Sequence, residues 1–342
     1  MLLLPQFFTR FPTLTARRII SVACLGLCIA AAGAAAAQPA PSVSLLFAGD
    51  IVLDGKAGKA IEQGRDPFAA FAAILNSADI RIGNLECVIA TGGDPADKNY
   101  TFRADPRTLP VLKRHFDAVA LANNHSGDYG RPAFAEMLGL LDAQGILKFG
   151  GGHNLREAHA PLIIERNGLR IALLSYNEFM PRSFEADFDA PGVAWSEDEQ
   201  VVADIKAARS VHNADLVIPI IHWGWENEPI AGARQRQLAR RMIDAGADAI
   251  IGGHPHVTQD IEHYKRKPII YSVGNFVMED IDNPNQAIGW VLRLQLDRQG
   301  VQRFDTRIAN LDSDGFPHPA PNAQSPCWQR GQSAVTLCGN GN

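Results

Sequence analysis

An α/β fold with parallel and antiparallel strands in one continuous domain is predicted by three features of this 342-residue sequence. Strand-like and helix-like segments alternate from Val43 to about Leu311. Asn167 and Gly168 tolerate the positive φ of a tight turn and sit between two apolar strands. Nearly every strong strand runs out into polar residues, and open α/β sheets gather ligands outside the carboxyl ends of their strands.

In chain order, SVSLLFAGDIVL (residues 42–53) reads as a strand entering a polar turn, and PFAAFAAILNSA follows with Phe68, Phe71, Ile74 and Leu75 on one helical face. DIRIGNLECVIA alternates as a strand does, and FDAVALA is a buried strand. RPAFAEMLGLLDAQG opens a helix near Pro132 and stops at Gly145. Beyond the Asn167–Gly168 hairpin, residues 197–213 form an amphipathic helix, ADLVIPIIHWG a buried strand and ARQRQLARRMIDAGA another helix. The strands AIIGGHPH and KPIIYSVGNFVM come next, then a hairpin over residues 288–308. After Leu311 the Pro, Gly, Ser and Asn content rises, so residues 312–342 are expected to be an irregular tail.

Residues 1–37 stand apart from the domain expected over 38–311. Arg10, Arg17 and Arg18 precede an apolar stretch from Ile19 to Ala32, and small residues lead to Gln38, as in an export signal cut after Ala37. That places the mature protein in the periplasm or another extracytoplasmic space. An uncleaved membrane anchor is the competing reading. ARRIIS loosely resembles a twin-arginine signal. The leader holds three arginines and no acid, so its removal takes the net charge from −5 to −8. No basic stripe exists, which argues against a nucleic-acid partner. An anionic ligand would need a local positive source, such as a metal. Of the remaining cysteines, Cys87 reads as a buried small hydrophobe, and Cys327 and Cys338 either close a short loop or stay free.

The chemistry concentrates at the strand ends. Asp50, Asn84, Glu86, Asn123, Asn124, His125, His222, Glu226, His254 and His256 all follow apolar runs. Buried without partners, such groups would each cost about 1 to 3 kcal/mol, so they face water or bind something. In GGHPH the glycines allow close backbone approach and two imidazoles sit two positions apart. Carboxylates, imidazoles and an amide match a borderline divalent cation, with Mn, Zn or Fe all suitable. Asp50, Glu86, Asn124, His222, His254 and His256 exceed the needs of one four-coordinate ion with an open position, so two metal ions are expected.

FAGDIVL, GNLE, FRADP, FDAVALANNHSGDYG, GGGHNLREA, IHWGWE, IGGHPHVTQ and YSVGNFV, in that order over about Leu45 to Met278, resemble the bacterial capsule-synthesis family that includes CapA and the poly-γ-glutamate synthesis protein PgsA. That family is similar in turn to calcineurin-like metallophosphoesterases. The resemblance implies a four-layer α-β-β-α sandwich and assigns Asp50 and His256 to a first metal, Glu86 to the bridge, and Asn124, His222 and His254 to a second metal. His125 would protonate a leaving group or steady developing charge. Two departures stand out: Val52 occupies a place where the phosphoesterase pattern has histidine, and Glu86 one where it has aspartate.

Asp128 either orients His125 or caps the helix near Pro132. Arg103 either holds an anionic substrate group or forms a structural ion pair. Asn123 is assigned to substrate. Glu226 is a partner for a ligating imidazole, Asn275 a brace for the site floor, and Trp223 and Trp225 rim residues. His153, His159, His212, His263 and His318 are expected on the surface. The implied functions are a metal-dependent hydrolase acting on a phosphoester or related bond of an envelope polymer, or a non-catalytic accessory to synthesis or export of an anionic capsule polymer such as poly-γ-glutamate. Membrane-bound capsule synthesis proteins are the candidate protein partners.

Overall fold

Alternation along the strand Ser42–Ile51 sets the architecture. Val43, Leu45 and Phe47 pack to one side and Leu46 and Ala48 to the other, all buried, so this strand is covered on both faces. The computed structural model describes residues 41–339 apart from 181, 280 and 282, and Ala40–Asn342 forms one compact unit. The leader expected at residues 1–37 lies outside the described residues. Among those described, no helix is long and apolar enough to cross a membrane.

Ser42–Ile51 belongs to a ten-stranded sheet, with Ile80–Leu85, Ala118–Ala120 and Leu147–Phe149 running parallel on one side. On the other side the antiparallel strands Ile288–Asp297 and Gly300–Leu311 follow. A six-stranded sheet has Leu169–Asn177, Leu216–His222, Ile250–Gly253 and Lys267–Ile270 in parallel, with Leu162–Arg166 and Ile261–Tyr264 antiparallel at its edges.

Three apolar cores separate four layers. Leu45, Phe47 and Ile82 of the large sheet meet Ile171, Ile218 and Ile251 of the small one. The large sheet's other face packs Leu46 and Ala48 against Phe68, Leu112, Phe134 and Leu138, and the small sheet's other face packs Leu174 and Val217 against Ile205, Leu238 and Met242. This is the expected α-β-β-α sandwich.

The predicted helix near Pro132 spans Gly130–Ala143, and the Asn167–Gly168 turn has φ of 49° and 75°. The irregular tail expected after residue 311 is corrected. Pro317–Pro319, Gln324–Gln329 and Thr336–Gly339 add strands to the large sheet. Gly300–Leu311 would otherwise expose a long edge of unpaired amides, and pairing them outweighs the local turn-rich composition. Cys327 and Cys338 are bridged, with Cα atoms 5.8 Å apart. Cys87 is fully buried, as expected, and burial pushes its thiol pKa up.

Two surface expectations also fail. His263 is partly buried, its ring tilted against that of Trp328 with centroids 4.6 Å apart. His159 is buried, its Nδ1 2.7 Å from Asp204 Oδ2, while Tyr176 Oη and Gln200 Nε2 donate to the same carboxylate. Removing that acceptor leaves the buried His159 and Tyr176 unpaired, while the exposed Gln200 turns to water. Asp204→Ala is therefore expected to lower stability by about 3 kcal/mol in urea titration without changing metal content.

Candidate metal centre

Parallel register brings the polar strand ends together. Asp50 pairs with Asn84, Asn84 with Ala120 just before the ANNH turn, and His222 with Gly253 just before His254. The carboxyl ends of both sheets therefore meet at one crest. Gly253 permits a close approach between them, since a Cβ there would lie 3.0 Å from Asp50 Oδ1. His254 and His256 hold positive φ of 91° and 57°, uncommon for such residues and characteristic of functional sites.

Glu86 is the centre of the group. It is fully buried and neither carboxylate oxygen has a hydrogen-bond partner. Oε1 lies 3.2 Å from His222 Nε2 and 3.9 Å from His256 Nε2 without forming a hydrogen bond to either. His256 Nδ1 is 3.5 Å from Asp50 Oδ2. On the other side, His222 Nε2 lies 3.1 Å from His254 Nδ1 and 2.7 Å from Asn124 Oδ1. Asp50, Glu86 and His222, and likewise Glu86, His254 and His256, each bring their ligand atoms within 4.8 Å of one another.

A buried carboxylate with no hydrogen bond, ringed by imidazole nitrogens, carries a desolvation cost that a bound cation offsets. His254 Nε2 is a second buried atom without a partner. The donor set therefore fits a divalent cation, and the six expected ligands are contiguous. Burial raises the Asp50 pKa, but His256, His222 and Asn84 more than offset that, hold it below the ordinary range and keep it an anion. Burial lowers the His256 pKa, yet Glu86 and Asp50 raise it to about 10, so this ring is protonated until a cation takes the place of its proton. Burial, with His222 and His256 nearby, depresses the His254 pKa and leaves that ring neutral, the form that ligates a metal. Val52 is buried and apolar, with its amide bonded to Val277, and offers no ligand.

His125 sits beside the cluster, lining a pocket with His256, Glu226 and Gln286. Its Nδ1 is 2.8 Å from Asp128 Oδ2, and its ring lies against Phe102 at 4.6 Å. Asp128 does not cap the helix, which starts at Gly130 after Tyr129 with no side-chain cap; its carboxylate instead accepts from Phe102 N and contacts Lys98.

Several assignments change. Asn123 is saturated within the protein: it donates to Asn84 Oδ1 and Leu85 O and accepts from His125 N and Ser126 Oγ, so it braces the turn and leaves nothing for substrate. The Arg103 guanidinium donates to Gly93 O and lies over the Tyr129 ring at 4.5 Å, and among the described residues it forms no ion pair. Its neighbour Phe102 faces His125 because adjacent strand residues point to opposite sides. Glu226 is exposed and bonds no imidazole. Trp223 is a core residue donating to Tyr271 O rather than a rim residue, whereas Asn275 Oδ1 does face His256 Nδ1, at 2.9 Å.

Two contributors had no assigned role. Asn84 Nδ2 donates to Asp50 Oδ1 at 2.8 Å and so aims that carboxylate. Lys98 Nζ donates to Asn124 O at 2.9 Å, lies 3.4 Å from His125 Nδ1 and pairs with Asp128. The signal for Lys98 was slight, a single basic residue in GGDPADKNY.

Fold and site together define an α/β sandwich protein with a candidate divalent-metal centre at its crest. Residues 44–280 match the family model of the bacterial capsule synthesis protein PGA_cap, and the chain belongs to that family. It is 33% identical over 276 residues to the PGA biosynthesis protein CapA of Bacillus subtilis (strain 168), covering 77% of this chain and 70% of that protein. It is 29% identical over 297 residues to the capsule biosynthesis protein CapA of Bacillus anthracis, covering 82% and 70%. Among solved structures, the sulfate thiohydrolase SoxB of Thermus thermophilus is similar with a TM-score of 0.47 and 14% identity, over 81% of this chain and 58% of that one.

Proposed function

We propose that this chain is an exported, metal-dependent hydrolase that cleaves a phosphoester or related bond in a cell-envelope or capsular polymer. The observation that carries this reading is Glu86, a fully buried carboxylate without hydrogen bonds among three imidazoles, next to a histidine already paired to an acid. Asp50, Glu86 and His256 would hold one divalent ion, and Glu86, Asn124, His222 and His254 a second. Such ions supply Lewis-acid polarisation of ester oxygens.

The chain's own residues do the rest. Asn84 and Asn275 aim Asp50 and His256. Asp128 holds the His125 Nδ1 edge, which presents Nε2 as the nitrogen that gives a proton to a leaving group. Phe102 and Phe179, the latter 3.8 Å from the His254 ring, shield the imidazoles from water.

The test is direct. Protein purified without chelators is expected to contain two equivalents of Mn, Zn or Fe and to cleave a generic phosphodiester or monoester. Inertness toward all such substrates with each metal overturns the hydrolase reading.

Val52 favours a second reading, a non-catalytic accessory that binds an anionic polymer beside membrane-bound synthesis proteins, because an apolar residue there leaves the first position a ligand short. The relatives' names, PGA biosynthesis and capsule biosynthesis, accord with that role. It requires polymer retention that disappears when metal is removed; retention unaffected by chelation counts against it.

A further inference from the structure

The end of the sandwich opposite the metal centre holds a cavity of about 750 Å³. Strand direction fixes its place. Lys267 opens a strand whose parallel neighbour, Ile250–Gly253, leads to His254 at its far end. Gly300, also in the wall, lies beside Asp297, which pairs with Ser42 at the start of the strand that ends near Asp50. That ten-residue strand spans about 30 Å at about 3.3 Å per residue, so cavity and metal centre are separate sites.

The lining is basic. Lys265, Arg266, Lys267 and Arg330 surround it against one acid, Asp248. Lys265 is paired with Asp244, Lys267 with Asp248 and Arg330 with Asp297. Arg266 forms no ion pair among the described residues. Lys265 and Arg266 are the two turn residues of the hairpin in which Tyr264 pairs with Lys267, and both take positive φ, 49° and 63°. Asn–Gly suits that backbone far better, so a basic pair is retained here at a conformational cost.

Behind the cations lies a group that needs a partner. His263 Nε2 is buried and has no hydrogen bond. Burial holds this ring's pKa below the usual range, so it is neutral. Its faces are taken by Trp328 at 4.6 Å and Phe304 at 6.2 Å. The opposite wall, Trp328 to Ser333, belongs to the segment closed by the Cys327–Cys338 bridge and lies beyond the residues that match the family.

We propose that this cavity is a second binding site, for a segment of a carboxylate-bearing chain whose carboxylates meet Arg266 and its basic neighbours over the aromatic floor that His263 and Trp328 provide. The cavity is too large and its floor too aromatic for a lone inorganic anion, and it accommodates several monomers. The choice of a carboxylate chain rests on the anionic polymer of the proposed function; the geometry of the site does not. A polymer held here is kept about a strand's length from the metal centre, so binding and processing use different ends of one molecule.

The test is calorimetric titration of the chelator-treated full chain with a γ-linked glutamate decamer, and with a glutamine decamer as neutral control. Chelation separates this site from the metal centre. The glutamate decamer is expected to bind and the neutral one not. Lys265→Asn/Arg266→Gly removes two charges while supplying the residues the turn prefers, so loss of folding does not confound it. That variant is expected to bind at least about tenfold more weakly, the effect of losing one charge-assisted contact. Glu86→Gln is expected to bind like the unmodified protein. Failure of the unmodified chain to bind at millimolar decamer, equal binding by the turn variant, or binding that vanishes on chelation alone each overturns the proposal. None of those results bears on ester cleavage at the other end.

Discussion

Glu86→Gln is expected to lower divalent-metal affinity by about 100-fold or more, read as near-complete loss of copurifying metal by elemental analysis. The carboxylate is common to both ligand groups, so its loss weakens each of them. A glutamine keeps the volume and removes the charge on which His222 and His256 converge. The same substitution is expected to have the opposite effect on the metal-free fold. There the buried carboxylate has no hydrogen bond and only the His256 ring, 3.9 Å away, to balance its charge, and a desolvated pair of that kind is often no more stable than a neutral group of the same size. Chelated Glu86→Gln protein should therefore melt no lower than chelated unmodified protein, whereas added metal should raise the melting temperature only of the unmodified one. At a free concentration of 100 times Kd that gain is about 2.7 kcal/mol. Unchanged metal content in the variant would remove Glu86 from the centre.

That crossing of stabilities explains which parts of the molecule were legible in the sequence. Local rules wrote the elements: the period-two alternation around Leu45 and Phe47, the Asn167–Gly168 turn and the apolar runs ending in polar clusters each carry their own signal. The clusters stood out because burying them breaks the ordinary rule, and functional sites are where sequences break it. Contacts between distant segments were not legible. The strands after residue 311 form only because Gly300–Leu311 offers an edge, and nothing in QSPCWQ announces that.

Lys265–Arg266 is hidden for a related reason, since it occupies a tight turn without turn chemistry and is visible only from its backbone angles. The role of Asn123 was not legible because residue type says what a side chain can bind and not what already binds it. Asn123 spends its polar atoms on Asn84, Leu85, His125 and Ser126. Lys98 reached the site through a loop rich in Gly and Asp, where a charged residue is ordinarily solvated.

His125→Ala separates catalysis from metal binding. His125 belongs to neither ligand group, and its Nδ1 is committed to Asp128, so removing the ring should leave metal stoichiometry unchanged. Turnover of a phosphoester by the metal-loaded protein should nevertheless fall by about 10² to 10⁴, the usual contribution of a positioned general acid. Asp128→Asn is a graded companion, because it keeps the bond to Phe102 N while removing the charge that steadies a protonated ring. If the acid role is correct, both variants lose rate most on substrates with poor leaving groups, since a good leaving group departs without a proton. A merely structural role would lower all substrates alike and reduce metal content with them. Turnover within about threefold of the unmodified protein, with both metals in place, would assign the proton transfer elsewhere. Lys98 would then be the next candidate, 3.4 Å from the same imidazole and the nearest cation to it.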